Sequence, residues 1–307
     1  MNNEKVKNIE GAEAPEVEII GTLEAPEKVV EEGGEKPSSA AGVRPRKFPT
    51  WTDLFATVGV FVLSVLVGSL VAGVLMASKG VATLTPDITF IFYLIQMMPT
   101  IAFVVWRRHR AGLDVGIHLG IGRIHFPMML WGVVVLLASG VVIEPLLELF
   151  PSAPYEAVQQ TIGLGGWAIM STVVAAPILE EVLFRGVIFE SCRERLGKGG
   201  AVLLSALLFG LIHGIPVQIV NAFVVGLILG YIYLRTRSLM SVIVLHAINN
   251  GLAYISMAFF DDGGNVTLGE LISARWLYWV VYGLSAAIFL FAMVRLWRQL
   301  RDNSEVE

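Results

Sequence analysis

Cysteine is almost absent. Cys192 stands alone in 307 residues, which excludes an intrachain disulfide and any cysteine-based zinc cluster. Charge is scarce too: Asp, Glu, Lys and Arg make up 16% of the chain, against about a quarter in a soluble domain. No His-Glu-x-x-His, Gly-x-Ser-x-Gly or Gly-x-x-x-x-Gly-Lys occurs, so zincin, serine-nucleophile and P-loop chemistry have no support. The net charge of -4 is largely made in the first fifty residues, and no nucleic-acid partner is expected.

What is abundant is apolar surface, at 55% hydrophobic residues and a mean hydropathy of +0.70. The expectation is an all-α, polytopic membrane helical bundle with about eight transmembrane helices. Residues 1–48 mix Glu, Lys, Pro, Gly and Ser with few aromatics, as in the run Glu31 to Ser39, and read as a disordered acidic tail. That tail lacks the basic start, apolar core and small-residue cleavage site of a signal peptide, so the first span is expected to be retained. The transmembrane domain is expected over 49–301. Its helices are expected at 52–78, 86–106, 127–149, 167–191, 200–213, 216–234, 239–260 and 275–297.

Basic residues are missing from alternate loops. Clusters stand at Arg44 to Lys47, Arg107 to Arg123, Arg193 to Lys198, Arg235 with Arg237, and Arg295 to Arg301, while Pro151 to Gly166 has none. By the positive-inside rule both termini are expected to be cytoplasmic, in a multi-pass protein of the cell membrane. The apolar stretch Gly199 to Leu234, about 54 Å as one helix, is too long for one span. His213-Gly214-Ile215-Pro216 supplies the break and returns the chain to the basic side.

Ionisable groups inside apolar spans are the informative exceptions. Glu180, Glu181 and Arg185 lie within Trp167 to Ser191, where each charge costs roughly 2.5–3.5 kcal/mol near the bilayer centre. Glu181 and Arg185 are four apart and suited to an ion pair along one turn, leaving Glu180, about 100° round the helix, free. His246 and Asn250 share one helix face, and His213 closes a short helix at comparable depth. His109, His118 and His125 fall in the basic loop and read as solvated. Gln96, Gln218, Asn221 and Ser205 read as helix-to-helix hydrogen-bonding groups.

Glu180, His213, His246 and Asn250 from three helices can meet in one cavity. A carboxylate and an imidazole can deprotonate a water while a second imidazole and a carboxamide stabilise an oxyanion, which is the chemistry of peptide hydrolysis. Three other readings stay open: a structural polar network, a non-catalytic membrane scaffold or immunity-type protein, and a proton-coupled transporter.

The ordered set Glu180-Glu181-x-x-x-Arg185, Phe209-x-x-x-His213 and His246-x-x-x-Asn250 resembles the three signature motifs of the CPBP family. That family comprises the type 2 CAAX prenyl proteases and the bacterial Abi-type intramembrane metalloproteases. The resemblance implies a protease core at about 165–260 with a cavity open to the cytoplasm. It implies that Glu180 and His213 activate the water, that His246 and Asn250 stabilise the oxyanion, and that Glu181, Arg185 and Phe209 support them. It leaves open a divalent metal, zinc foremost, with Glu180, His213 and His246 as candidate ligands. The partners it implies are membrane lipids and a protein or peptide substrate, lipidated or not.

Overall fold

A computed structural model describes residues 48–112, 126–259 and 268–302. The acidic tail up to Lys47, the histidines His118 and His125, and Asp261-Asp262 lie outside the described residues. Among the described residues there is helix and no strand. Helix α1 (Trp51–Lys79) starts in a capping box, with Thr50 Oγ1 accepting from the Asp53 amide and Asp53 accepting from the Thr50 amide at 2.8 Å. It ends on Gly80, at φ 64°. Helix α2 (Pro86–Arg110) opens with proline at its first position, where a missing N–H costs nothing. It runs four residues past the expected end, so Arg107 and His109 ride its last turn rather than a loop. Helix α3 (Phe126–Leu147) follows.

The expected loop at Pro151 to Gly166 instead holds a helix, α4 (Ala153–Ile162), with Pro154 near its start and Gly163 after its end. It is bent by 113° against the helix that follows. That next helix runs from Gly166 to a break at Gly197, whose φ of 72° is open to glycine and costly for other residues. Along it, α5 (Gly166–Ile169) and α6 (Ala176–Glu181) alternate with widened π turns at Met170–Ala175 and Val182–Phe189, and α7 (Glu190–Leu211) spans the break. Beyond Gly197 only residues 198–211 remain helical, roughly 21 Å of rise. Gly214, at φ 72°, and Pro216 make the hairpin into α8 (Pro216–Thr236). Then come α9 (Leu239–Phe259), α10 (Leu268–Leu271) and α11 (Arg275–Asp302).

Among the described residues six helices are long and apolar enough to cross a membrane, and seven if the bent pair counts as one span. The 198–211 leg is too short to be counted by itself. The protein is therefore a multi-pass helical bundle. The 166–211 segment, α8 and α9 form its centre, with Leu229, Ile232 and Leu245 fully buried. Helices α1 and α11 flank it and show Leu70, Phe55, Leu290 and Phe291 outward, as a lipid solvent allows. The short leg and α8 pack closely because both carry glycine. A Cβ on Gly210 would stand 2.8 Å from the Ile219 carbonyl oxygen, and one on Gly226 3.1 Å from Ala206 and Phe209.

Arginines tie the ends of these helices together at one end of the bundle. Arg107 pairs with Asp53, Arg108 donates to Ser191 Oγ at 2.9 Å, and Arg195 donates to the Pro49 carbonyl at 2.6 Å. Arg237 meets Glu190 at 2.5 Å and Arg235 donates to the Leu300 carbonyl at 3.1 Å.

Candidate active site

Glu180 and Glu181 sit where the long helix returns to α-helical register between its two widened turns. Such turns are common at functional sites because they re-aim side chains, and here one has a covalent cause. Pro177 has no N–H to give and its ring crowds the preceding turn. The turn widens, so that the Ala176 amide reaches back five residues to Ser171. The next bond in that register would join Pro177 to the Thr172 carbonyl, and proline cannot make it. Asn250 Nδ2 makes it instead, at 3.0 Å, pinning α9 to this turn.

The two carboxylates have different surroundings. Glu181, fully buried, takes Arg185 Nη1 at 2.8 Å and His246 Nδ1 at 2.9 Å on one oxygen. Arg185, also fully buried, donates from Nη2 to the Gly226 carbonyl at 3.0 Å and lies 4.8 Å over the Phe209 ring. Glu180 accepts from the Tyr93 hydroxyl at 3.0 Å, and its other oxygen lies 3.7 Å from His246 Nε2. His246 is thus held between the pair. Its Nδ1 carries the proton toward Glu181, because a carboxylate can only accept.

His213 is oriented by its own helix end. Its Nδ1 lies 2.9 Å from the Phe209 carbonyl, so that nitrogen donates and Nε2 keeps its lone pair. Phe209 is the shared wall, with edge-on contacts to His213 at 5.2 Å, His246 at 5.7 Å and Phe184 at 5.3 Å between centroids.

Glu180, Phe209, His213, His246 and Asn250 all line one cavity of about 470 Å³. Glu181 and Arg185 lie behind it. Tyr93 lines it as well and carries no sequence motif. The signal was the face Thr89, Tyr93 and Gln96 of α2, polar at helical spacing in an apolar span. Gln96, Gln218 and Asn221, expected to join helices, also face the cavity, whereas Ser205 does join them, donating to the Phe184 carbonyl at 3.0 Å. Among the described residues no group of three or more His, Cys, Asp or Glu is placed to hold a metal ion. Glu180 and His246 offer two donors, and His213 does not complete a third.

The cavity runs from the middle of the bundle, at Glu180 and His246, toward the end remote from the arginines, with walls from α2, α4, the long helix, the hairpin at His213, α8 and α9.

Fold and site together define a polytopic membrane protein with a buried acid–imidazole pair at the base of a polar cavity. Residues 163–252, which carry all three motifs, match the Rce1-like family, described as type II CAAX prenyl endopeptidase. That segment is 90 of the 307 residues, and the likeness to the family is confined to it. The same region is similar to the "Putative membrane peptidase YdiL" of Bacillus subtilis (strain 168), 31% identical over 87 residues. The match takes in 28% of this chain and 35% of that protein, so the chain spans about a third of the curated relative it matches. No solved structure matches.

Proposed function

We propose that the chain is an intramembrane peptidase that hydrolyses a peptide bond within its cavity. The observation that carries this reading is the division between adjacent carboxylates. Glu181 is committed to Arg185 and His246, while Glu180 faces the cavity beside an imidazole that Glu181 orients. A carboxylate so placed serves as general base. Glu180 takes a proton from a water as its oxygen attacks the carbonyl carbon. It returns that proton to the amine nitrogen as the C–N bond breaks. His213 Nε2, with its lone pair free, helps hold the water. The second N–H of the Asn250 amide, and His246 Nε2 when the ring is imidazolium, donate to the oxyanion.

The test compares new N-termini in membranes from cells expressing wild type and Glu180→Gln, with both proteins shown to be folded and equally abundant. Termini present with wild type and lost with the variant are expected. A variant that leaves every terminus in place removes the peptidase reading and favours a scaffold. Metal content of wild type, Glu180→Ala and His213→Ala decides separately about zinc. Stoichiometric zinc lost from both variants adds a Lewis acid, and a metal-free protein that still cuts leaves the water to the carboxylate.

A further inference from the structure

We infer that Tyr93 is a positioning residue for Glu180, its hydroxyl fixing which carboxylate oxygen receives the proton of the attacking water. The inference deepens the peptidase reading and rests on it. Tyr93 belongs to α2, outside the matched residues 163–252, so the family likeness says nothing of it. Its role is argued from geometry. The phenol reaches Glu180 Oε1 at 3.0 Å. A phenol has one proton to give and a carboxylate can only accept, so the direction of this bond is fixed. Oε1 is thereby engaged, and Oε2 is the oxygen left to act as base. The same count makes Tyr93 an orienting group rather than a third donor to the oxyanion.

The other side of Glu180 gives the second observation. Oε2 lies 3.7 Å from His246 Nε2, beyond hydrogen-bond reach. The imidazole is tied at Nδ1 to Glu181, 2.9 Å away, and it would have to leave that partner to approach Glu180. The Glu180 carboxylate is the group that can move, by turning its side chain to another rotamer. Tyr93 restrains it. Were Glu180 and His246 to close into a direct pair, the base and the oxyanion donor would occupy each other and both would be lost to the substrate. Tyr93 thus holds apart the two groups on which the reaction depends. Helix α2 can serve as a rigid arm for this, because on either side of Tyr93 it is tied to the helix that carries Glu180. Phe90 meets Trp167 at 5.5 Å between ring centroids, and Arg108 donates to Ser191 Oγ at 2.9 Å.

Tyr93→Phe removes the hydroxyl and keeps the ring. It is assayed in detergent on a purified protein that bears one of the Glu180-dependent termini. The expected result is a kcat lower by roughly 10- to 100-fold, the scale of one hydrogen bond to a charged group. KM should stay within about twofold, because the bond orients the base and does not touch the substrate. The melting temperature should hardly move. Tyr93→Leu, which drops the ring as well, is expected to be about as slow as Tyr93→Phe. A packing role gives a different order, with Tyr93→Phe at the wild-type rate and only Tyr93→Leu impaired, and overturns the inference. A raised KM at unchanged kcat overturns it too, by making Tyr93 a substrate contact. A further readout needs neither variant to fold: fluorotyrosine placed at position 93 should show a fluorine resonance that moves on Glu180→Ala, and a resonance that stays put counts against the bond. If Tyr93→Phe cuts normally while Glu180→Gln is inactive, the peptidase reading stands without this inference. If no terminus depends on Glu180, that reading fails and the inference falls with it.

Discussion

Arg185 is a full charge with no exposed surface, shared among Glu181, the Gly226 carbonyl and the Phe209 ring. Removing one partner of such a pair leaves an uncompensated ion, which costs about 3–5 kcal/mol. Glu181→Gln is therefore expected to lower the melting temperature in detergent sharply, with less folded protein recovered. The double substitution Glu181→Leu with Arg185→Met is expected to regain most of that stability yet remain inactive, because His246 loses its anchor. A double variant as unstable as the single one would sink this account. Glu180, Glu181, Arg185, His213, His246 and Asn250 were legible because each is polar in an apolar span. Tyr93 was missed although Thr89 and Gln96 mark its face of α2, since a phenol in such a span is ordinary and its bond to Glu180 is what sets it apart. Nor did the sequence show which nitrogen of either histidine holds its proton. That depends on the Phe209 carbonyl and the Glu181 carboxylate, neighbours known only once the helices are packed.

At the scale of elements, Pro177 costs helix stability so that a carbonyl is freed for Asn250. Pro177→Ala restores the amide and is expected to raise stability by roughly 1–3 kcal/mol, since proline costs about 3 kcal/mol in a helix interior. Cleavage should fall in the same variant as the widened turn closes and α9 loses its pin. Melting and cleavage measured side by side check both halves, and a variant that is neither more stable nor slower would contradict the role given to the turn. The hairpin at His213 was readable because Gly214 and Pro216 are strong punctuation. The widened turns were not, because a proline by itself does not say whether a helix breaks, kinks or widens. Helix α4 did carry a signal in Pro154 and Gly163, but ten residues between two spans read easily as a loop.

Across the whole molecule, the multi-pass helical bundle followed from hydropathy, whereas about eight spans were expected and six or seven helices are long and apolar enough among the described residues. The position of the cavity along the bundle axis did not follow, because motif spacing fixes which residues meet and not where along the bundle they do. That position limits what the protein can accept. Glu180 lies 14 residues beyond Gly166, where the long helix begins, roughly 21 Å of helical rise. A substrate descending that distance as an extended strand needs only six or seven residues at about 3.3 Å each. The same residues coiled as a helix would span less than half the depth and would keep the scissile amide locked in its own hydrogen bonds. On the peptidase reading, unwinding is part of substrate choice. A test span with Gly or Pro beside the scissile bond is expected to be cut faster than an otherwise identical leucine-rich span, as timed by release of a terminal epitope. The softness of the victim's helix, more than the letters around the cut, would then decide which proteins in the bilayer survive an encounter with this one.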